Sequence, residues 1–162
     1  MEQYHRYTCI RFVPRTNERD FVNIYYGNGC WSIIGRNGGP QNLSLGKGCN
    51  YVGLVVHELG HAIGLFHEHQ RSDRDNYIAV YKENVVSGQE HNFVRTHPSM
   101  ELIMTPYDYN SIMHYGNYAF SRVPGQLQTM VAKNGQRLVE PYDKPGFDQS
   151  DIYIINTLYQ CR

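Results

Sequence analysis

The stretch VVHELGHAIGLFHEHQ, Val55 to Gln70, constrains this 162-residue chain more than any other. Taking about 100° per residue, Val52, Val55, Val56, Leu59, Ile63 and Phe66 fall within about ±60° of one direction. That periodicity predicts a helix over Tyr51 to Phe66 with one apolar face. His57, Glu58 and His61 fall on the opposite side, and Leu54 breaks the pattern by sitting near them.

His57 and His61, at i and i+4, lie a turn apart on one face, close enough to share an ion. His67 is six residues further on. On an unbroken helix it would sit about 9 Å along the axis from His61. Nitrogens bound to one tetrahedral zinc are only about 3.5 Å apart. A straight helix therefore cannot deliver it, and the chain must reverse soon after His61. Gly64 can do this at least cost, because it takes φ > 0 without a Cβ clash. Three neutral imidazoles suit one zinc ion and leave it an open position, as in a catalytic site. Glu58, between two of them, points beside the ion, within reach of a zinc-bound water.

Composition limits the alternatives. Formal net charge is zero, with no run of Lys or Arg and no acidic tail, which argues against nucleic acid. The apolar run YVGLVV is far too short to span a bilayer. Cys9, Cys30, Cys49 and Cys161 form no C-x-x-C pair. Dispersed and even in number, they predict two disulfides in an oxidising compartment rather than a thiolate zinc site, with three connectivities open. A secreted protein is expected. The opening MEQYHRYTCIRF holds no signal peptide, so the signal is expected to lie outside this chain, or Met1 is not the biological start.

The length fits one domain that buries roughly 70% of its unfolded surface. TCIRFV (8–13) and DFVNIYY (20–26) read as strands. NLSLG (42–46) reads as an edge strand open to another chain. The stretch 79–95 is expected to be helical, and 96–148 loop-rich. DQSDIYIINTLYQC reads as a C-terminal helix capped by Asp148 or Ser150, with Ile152, Ile155, Leu158 and Tyr159 as its buried stripe. The class is α+β.

H-E-x-x-H-x-x-G-x-x-H is the metzincin zinc signature. With Glu68 following His67, and with PYDYNSIMHY at 106–115, the chain resembles the astacin family over nearly its whole length. The resemblance implies a two-subdomain catalytic domain. Residues 1–64 would hold a small mixed sheet and the active-site helix; residues 65–162 would be loop-rich and end in a helix. It implies a zinc metalloendopeptidase with one catalytic Zn2+, held by His57, His61, His67 and Tyr115. Glu58 would be the general base on zinc-bound water, Tyr115 would also stabilise the oxyanion, and Met113 would lie beneath the metal. It implies the pairs Cys9–Cys161 and Cys30–Cys49, to which the chain-entropy argument assigns roughly 5 and roughly 3 kcal/mol.

Peptide or protein substrates are expected to lie extended along the 42–46 edge, at Leu43, Ser44 and Leu45, as on the corresponding astacin strand. Arg137 and Lys144 are candidates for an acid-binding pocket. The protein is expected to be a monomer with no nucleic-acid or membrane partner. His5, His69, His91, His97 and His114 read as non-ligands. In astacins some forty further residues precede the cysteine matching Cys9, and the mature N-terminus is tied to the glutamate matching Glu68. Here Glu68 is expected to be buried without its cation, in a truncated domain. A catalytically weak zinc-binding interaction module is the alternative.

Overall fold

The computed structural model describes residues 1–162 and divides into two compact units, residues 1–66 with 142–162, and residues 67–141. Its elements are α+β in kind, and no helix is long and apolar enough to cross a membrane.

The first unit holds a three-stranded sheet. β1 (Phe21–Tyr25), β2 (Cys30–Ser32) and β3 (Pro40–Leu45) lie in the order β1-β3-β2. β3 runs parallel to β1, with Ile24 opposite Leu43, and antiparallel to β2, with Trp31 opposite Ser44. This overturns the edge reading of 42–46: the strand is central and both its sides are paired. Leu43 and Ser44 are fully buried, so neither they nor Leu45 offers a free ladder to a substrate. Segment 8–13 also differs, forming no strand. Its polar groups bond locally instead: Thr8 Oγ1 donates to Tyr4 O and accepts from Ile10 N, and Arg11 reaches Thr8 O.

Two helices, α1 (Glu2–Tyr7) and α2 (Val52–Ala62), meet at Tyr4, which is wholly buried and donates from its hydroxyl to Val56 O at 2.7 Å. α2 packs on β2 and β3, and its Val56 and Leu59 are buried. It ends four residues earlier than the apolar pattern predicts, and Phe66 is exposed. The cause is a helix-terminating motif. Leu65 N donates to Gly60 O and Gly64 N to His61 O, with Gly64 at φ 102°.

α3 (Gln149–Leu158) starts at an Asp148–Asp151 capping box. Of the expected stripe only Ile155 is fully buried; Leu158 and Tyr159 are exposed. Tyr159 uses its hydroxyl to donate to Ile63 O at the end of α2. Both disulfides join the pairs the resemblance implies, Cys9–Cys161 and Cys30–Cys49, and no cysteine is free.

The second unit is mostly turns around a core of Phe93, Met130, Ile78, Val85 and Leu138. Its one sheet pairs β4 (Ile78–Val80) with β5 (Met130–Ala132). The helix expected over 79–95 is absent. β4 claims its start for the ladder, and single 3-10 turns at Lys82–Asn84 and Glu90–Phe93 flank Gly88, whose φ is 88°. Asn117 substitutes for missing ladder bonds, donating to Met130 O and accepting from Leu138 N.

Candidate metal centre

α2 carries His57 and His61 on one face, with ring nitrogens Nε2 3.1 Å apart. Both side chains are buried, as is Glu58 between them. His61 Nδ1 lies 2.8 Å from Leu65 O, and a carbonyl only accepts. Nδ1 therefore carries the proton and Nε2 presents its lone pair. Burial also holds the His61 pKa below its ordinary value, against the opposing Leu65 hydrogen bond, and so favours the neutral ligand form.

The motif at Gly64 turns the chain, and His67 follows Phe66 in extended conformation. Its Nδ1 is 3.1 Å from Gln70 Oε1, and Gln70 Nε2 donates to Asn92 O. The amide oxygen therefore faces the imidazole, again leaving Nε2 as the outward lone pair. One ligand nitrogen from each of His57, His61 and His67 lies within 4.8 Å of the others. Lone pairs gathered this closely repel unless a cation lies among them. Three imidazole donors fit zinc better than magnesium or calcium. Glu58 adds a second sign of fit. Its Oε2 has no hydrogen-bond partner although the residue is 4% exposed, and burial pushes its carboxyl up to about 8.

Glu68 differs from its expected state. Its Oε1 accepts from Arg71 Nη1 at 2.8 Å and from Asp108 N at 2.9 Å, so Arg71, three residues on, is its cation. Burial still raises its pKa to about 7, partly opposed by Arg71. The Glu68 N–H donates to Met113 O, so one residue ties the peptide after His67 to both ends of the 106–115 segment. Met113 is buried. Tyr115 sets its ring 4.5 Å from that of His67 and stacks on His69 at 4.8 Å.

His69 Nε2 donates to Asn92 O, and His114 bridges Tyr107 and the Tyr115 carbonyl; both are buried structural residues. Arg137 is exposed in the second unit, while Lys144 is buried in the first. Sequence reasoning missed Leu65 O, Gln70 and Arg71. The signal for the first two was present: metal-binding histidines almost always need an acceptor for their second nitrogen.

A helix with paired histidines, a glycine reversal and a third histidine define a metzincin-type metal site. The family model described as Astacin, a peptidase family, matches residues 1–160, and the chain belongs to the astacin family. Astacin-like metalloprotease toxin 1 of Loxosceles intermedia is 44% identical over 164 residues, covering 99% of this chain and 62% of that protein. High choriolytic enzyme 1 of Oryzias latipes is 45% identical over 163 residues, covering 100% of this chain and 59% of its own length. The chain thus spans less than two thirds of these curated relatives. The solved structure of high choriolytic enzyme 1, described as a hatching enzyme zinc-protease, superposes with a TM-score of 0.92 at 43% identity, over 100% of this chain and 80% of that one. Myroilysin, at 22% identity and a TM-score of 0.66, shares the fold.

Proposed function

We propose that this chain is a zinc-dependent metalloendopeptidase domain that hydrolyses peptide bonds in proteins. The observation that carries the reading is the gathering of the three imidazole nitrogens within 4.8 Å, with the unpartnered Glu58 oxygen on the same helix. His57, His61 and His67 would hold the ion, with Tyr115 as the fourth protein group. When bound, zinc supplies Lewis acidity that polarises the scissile carbonyl and makes water acidic enough to deprotonate near neutral pH.

Glu58 takes the proton from the attacking water at its free carboxylate oxygen and passes it to the leaving amine. Tyr115, partly exposed and lying against the His67 ring, donates a hydrogen bond from its hydroxyl to the developing oxyanion and keeps its proton. Met113 and Glu68 hold the backbone beside His67 rather than touch substrate. The substrate ladder moves from β3 to β2. β2 has one neighbour, and the Ile33 N to Asn42 O bond sets a register that turns the Cys30 and Ser32 peptide groups outward. An extended peptide adds there, with sequence-tolerant backbone bonds. Two disulfides and no free thiol support work outside the cell.

Casein hydrolysis with chelator, then with zinc restored, tests the reading. Loss and recovery of cleavage are expected. Full zinc occupancy without cleavage would leave a metal-binding module instead.

A further inference from the structure

β4 has a neighbour on one side only. Tyr81 N donates to Thr129 O and Lys133 N to Tyr77 O, which flank the register Ile78–Ala132, Ala79–Val131 and Val80–Met130. Odd-numbered residues of this strand thus turn their peptide groups to β5. By the alternation of an antiparallel ladder, Ile78 and Val80 turn theirs outward. Ile78 is buried, so the peptide groups open to a ligand are those of Val80, which is partly exposed.

This edge forms one wall of a cleft of about 600 Å³. Four cationic side chains line it, Arg74, Lys82, Arg95 and Lys133, against two carboxylates, Asp75 and Glu83. Asp75 is already shared: Arg74 Nε is 2.9 Å from Oδ1 and Arg95 Nη1 is 3.1 Å from Oδ2. Arg74 is fixed further by its bond to His69 O, and Lys133 Nζ sits on the Asp75 carbonyl. The cleft therefore has surplus positive charge in a protein whose formal net charge is zero.

We propose that the β4 edge is a docking site for an extended acidic segment of a partner protein. One ligand residue exchanges both backbone hydrogen bonds with Val80, adding a third strand to the β4–β5 sheet. Acidic side chains beside that residue meet Lys82, Arg95 and Lys133. Main-chain bonds set the direction of the segment, and the charges set its selectivity and salt dependence. None of these groups takes part in the proposed hydrolysis, so the inference stands or falls apart from it.

The test is fluorescence anisotropy of a labelled peptide of alternating Glu and Val against the whole chain. Three controls accompany it: the Lys-for-Glu peptide, the same acidic peptide N-methylated along its backbone, and a heparin oligosaccharide. The acidic peptide is expected to bind at low salt and to weaken as salt rises. The double variant Lys82→Glu/Lys133→Glu is expected to weaken it by about tenfold or more. N-methylation at the residue paired with Val80 removes a ladder bond and is expected to cost about fivefold, with no change to the protein. Equal binding of the lysine peptide would overturn the proposal and leave the lysines as mere guards of an exposed edge. Binding indifferent to N-methylation, with heparin binding as tightly, would overturn it in favour of a simple polyanion site.

Discussion

Glu58 combines burial with an oxygen that has no hydrogen-bond partner, a costly state that the proposed proton-transfer role would explain. Glu58→Gln is expected to retain zinc at one ion per chain while peptide hydrolysis falls about 10³-fold. Metal analysis alongside turnover checks both halves, and a variant that still cleaves would remove Glu58 from the proton path. Tyr4 gives a prediction in pH. Burial first, then Asp151 and Tyr159, hold its phenol well above the ordinary tyrosine range. A raised folded pKa means that its contribution is complete below the unfolded value near 10 and is lost as pH climbs past it. Urea unfolding should show stability falling above about pH 10, by up to about 1.4 kcal/mol per pH unit for this residue. Tyr4→Phe should flatten that limb and cost about 1 kcal/mol at neutral pH for the lost bond to Val56. At this scale the sequence is most readable where spacing is chemistry: the three histidines and Glu58 stand in relations that few folds satisfy, whereas the cysteine spacing by itself leaves three connectivities open. Arg71 was not readable as the partner of Glu68. Its role depends on a 3-10 turn at Glu68–Gln70 that brings i and i+3 together, and HEHQRSD carries no periodic signal for one.

α2 shows how far an element can be read and where the reading stops. Its apolar stripe marks a helix, yet Ile63 and Phe66 continue that stripe beyond the true end at Ala62. Periodicity is blind to the Gly64 turn that cuts it. Gly64→Ala forces a Cβ into φ 102° and is expected to destabilise by roughly 1–2 kcal/mol. It should also weaken zinc binding, because the same turn positions Leu65 O on His61 and returns His67. Denaturation curves and competition with a fluorescent zinc chelator separate the two effects; intact affinity would mean the ligands find their places without the turn. β2 is the opposite case. Three residues give too short a pattern to register, so β3 looked like an edge. A strand's place in a sheet depends on partners elsewhere in the chain, which local alternation does not report.

For the molecule as a whole, staples and metal should govern stability. Cys9–Cys161 closes nearly the entire chain, with a sequence separation of 152, and Cys30–Cys49 closes a loop with a separation of 19. Replacing Cys9 and Cys161 together with Ser is expected to lower unfolding free energy by about 5 kcal/mol, against about 3 for the shorter loop. Urea midpoints of the two double variants would show the order, and a reversed order would mean native-state strain outweighs loop length. Chelation should lower the melting temperature of the intact protein, since zinc at a thousand times its dissociation constant adds about 4 kcal/mol. An unchanged melt would indicate that the three imidazoles do not hold the ion in the folded state.

The end of α2 is fastened from three directions. Gly35 N donates to His61 O, the Gly64 turn closes on that same carbonyl, and the Tyr159 hydroxyl reaches Ile63 O. The residues that decide whether a metal ligand stands in place are therefore scattered from position 35 to position 159, and both of these ends lie outside the signature stretch. In a lineage of such chains, Gly35 and Tyr159 should drift together with the histidines rather than with their own sequence neighbours. A survey confined to the signature stretch would miss much of what keeps it functional.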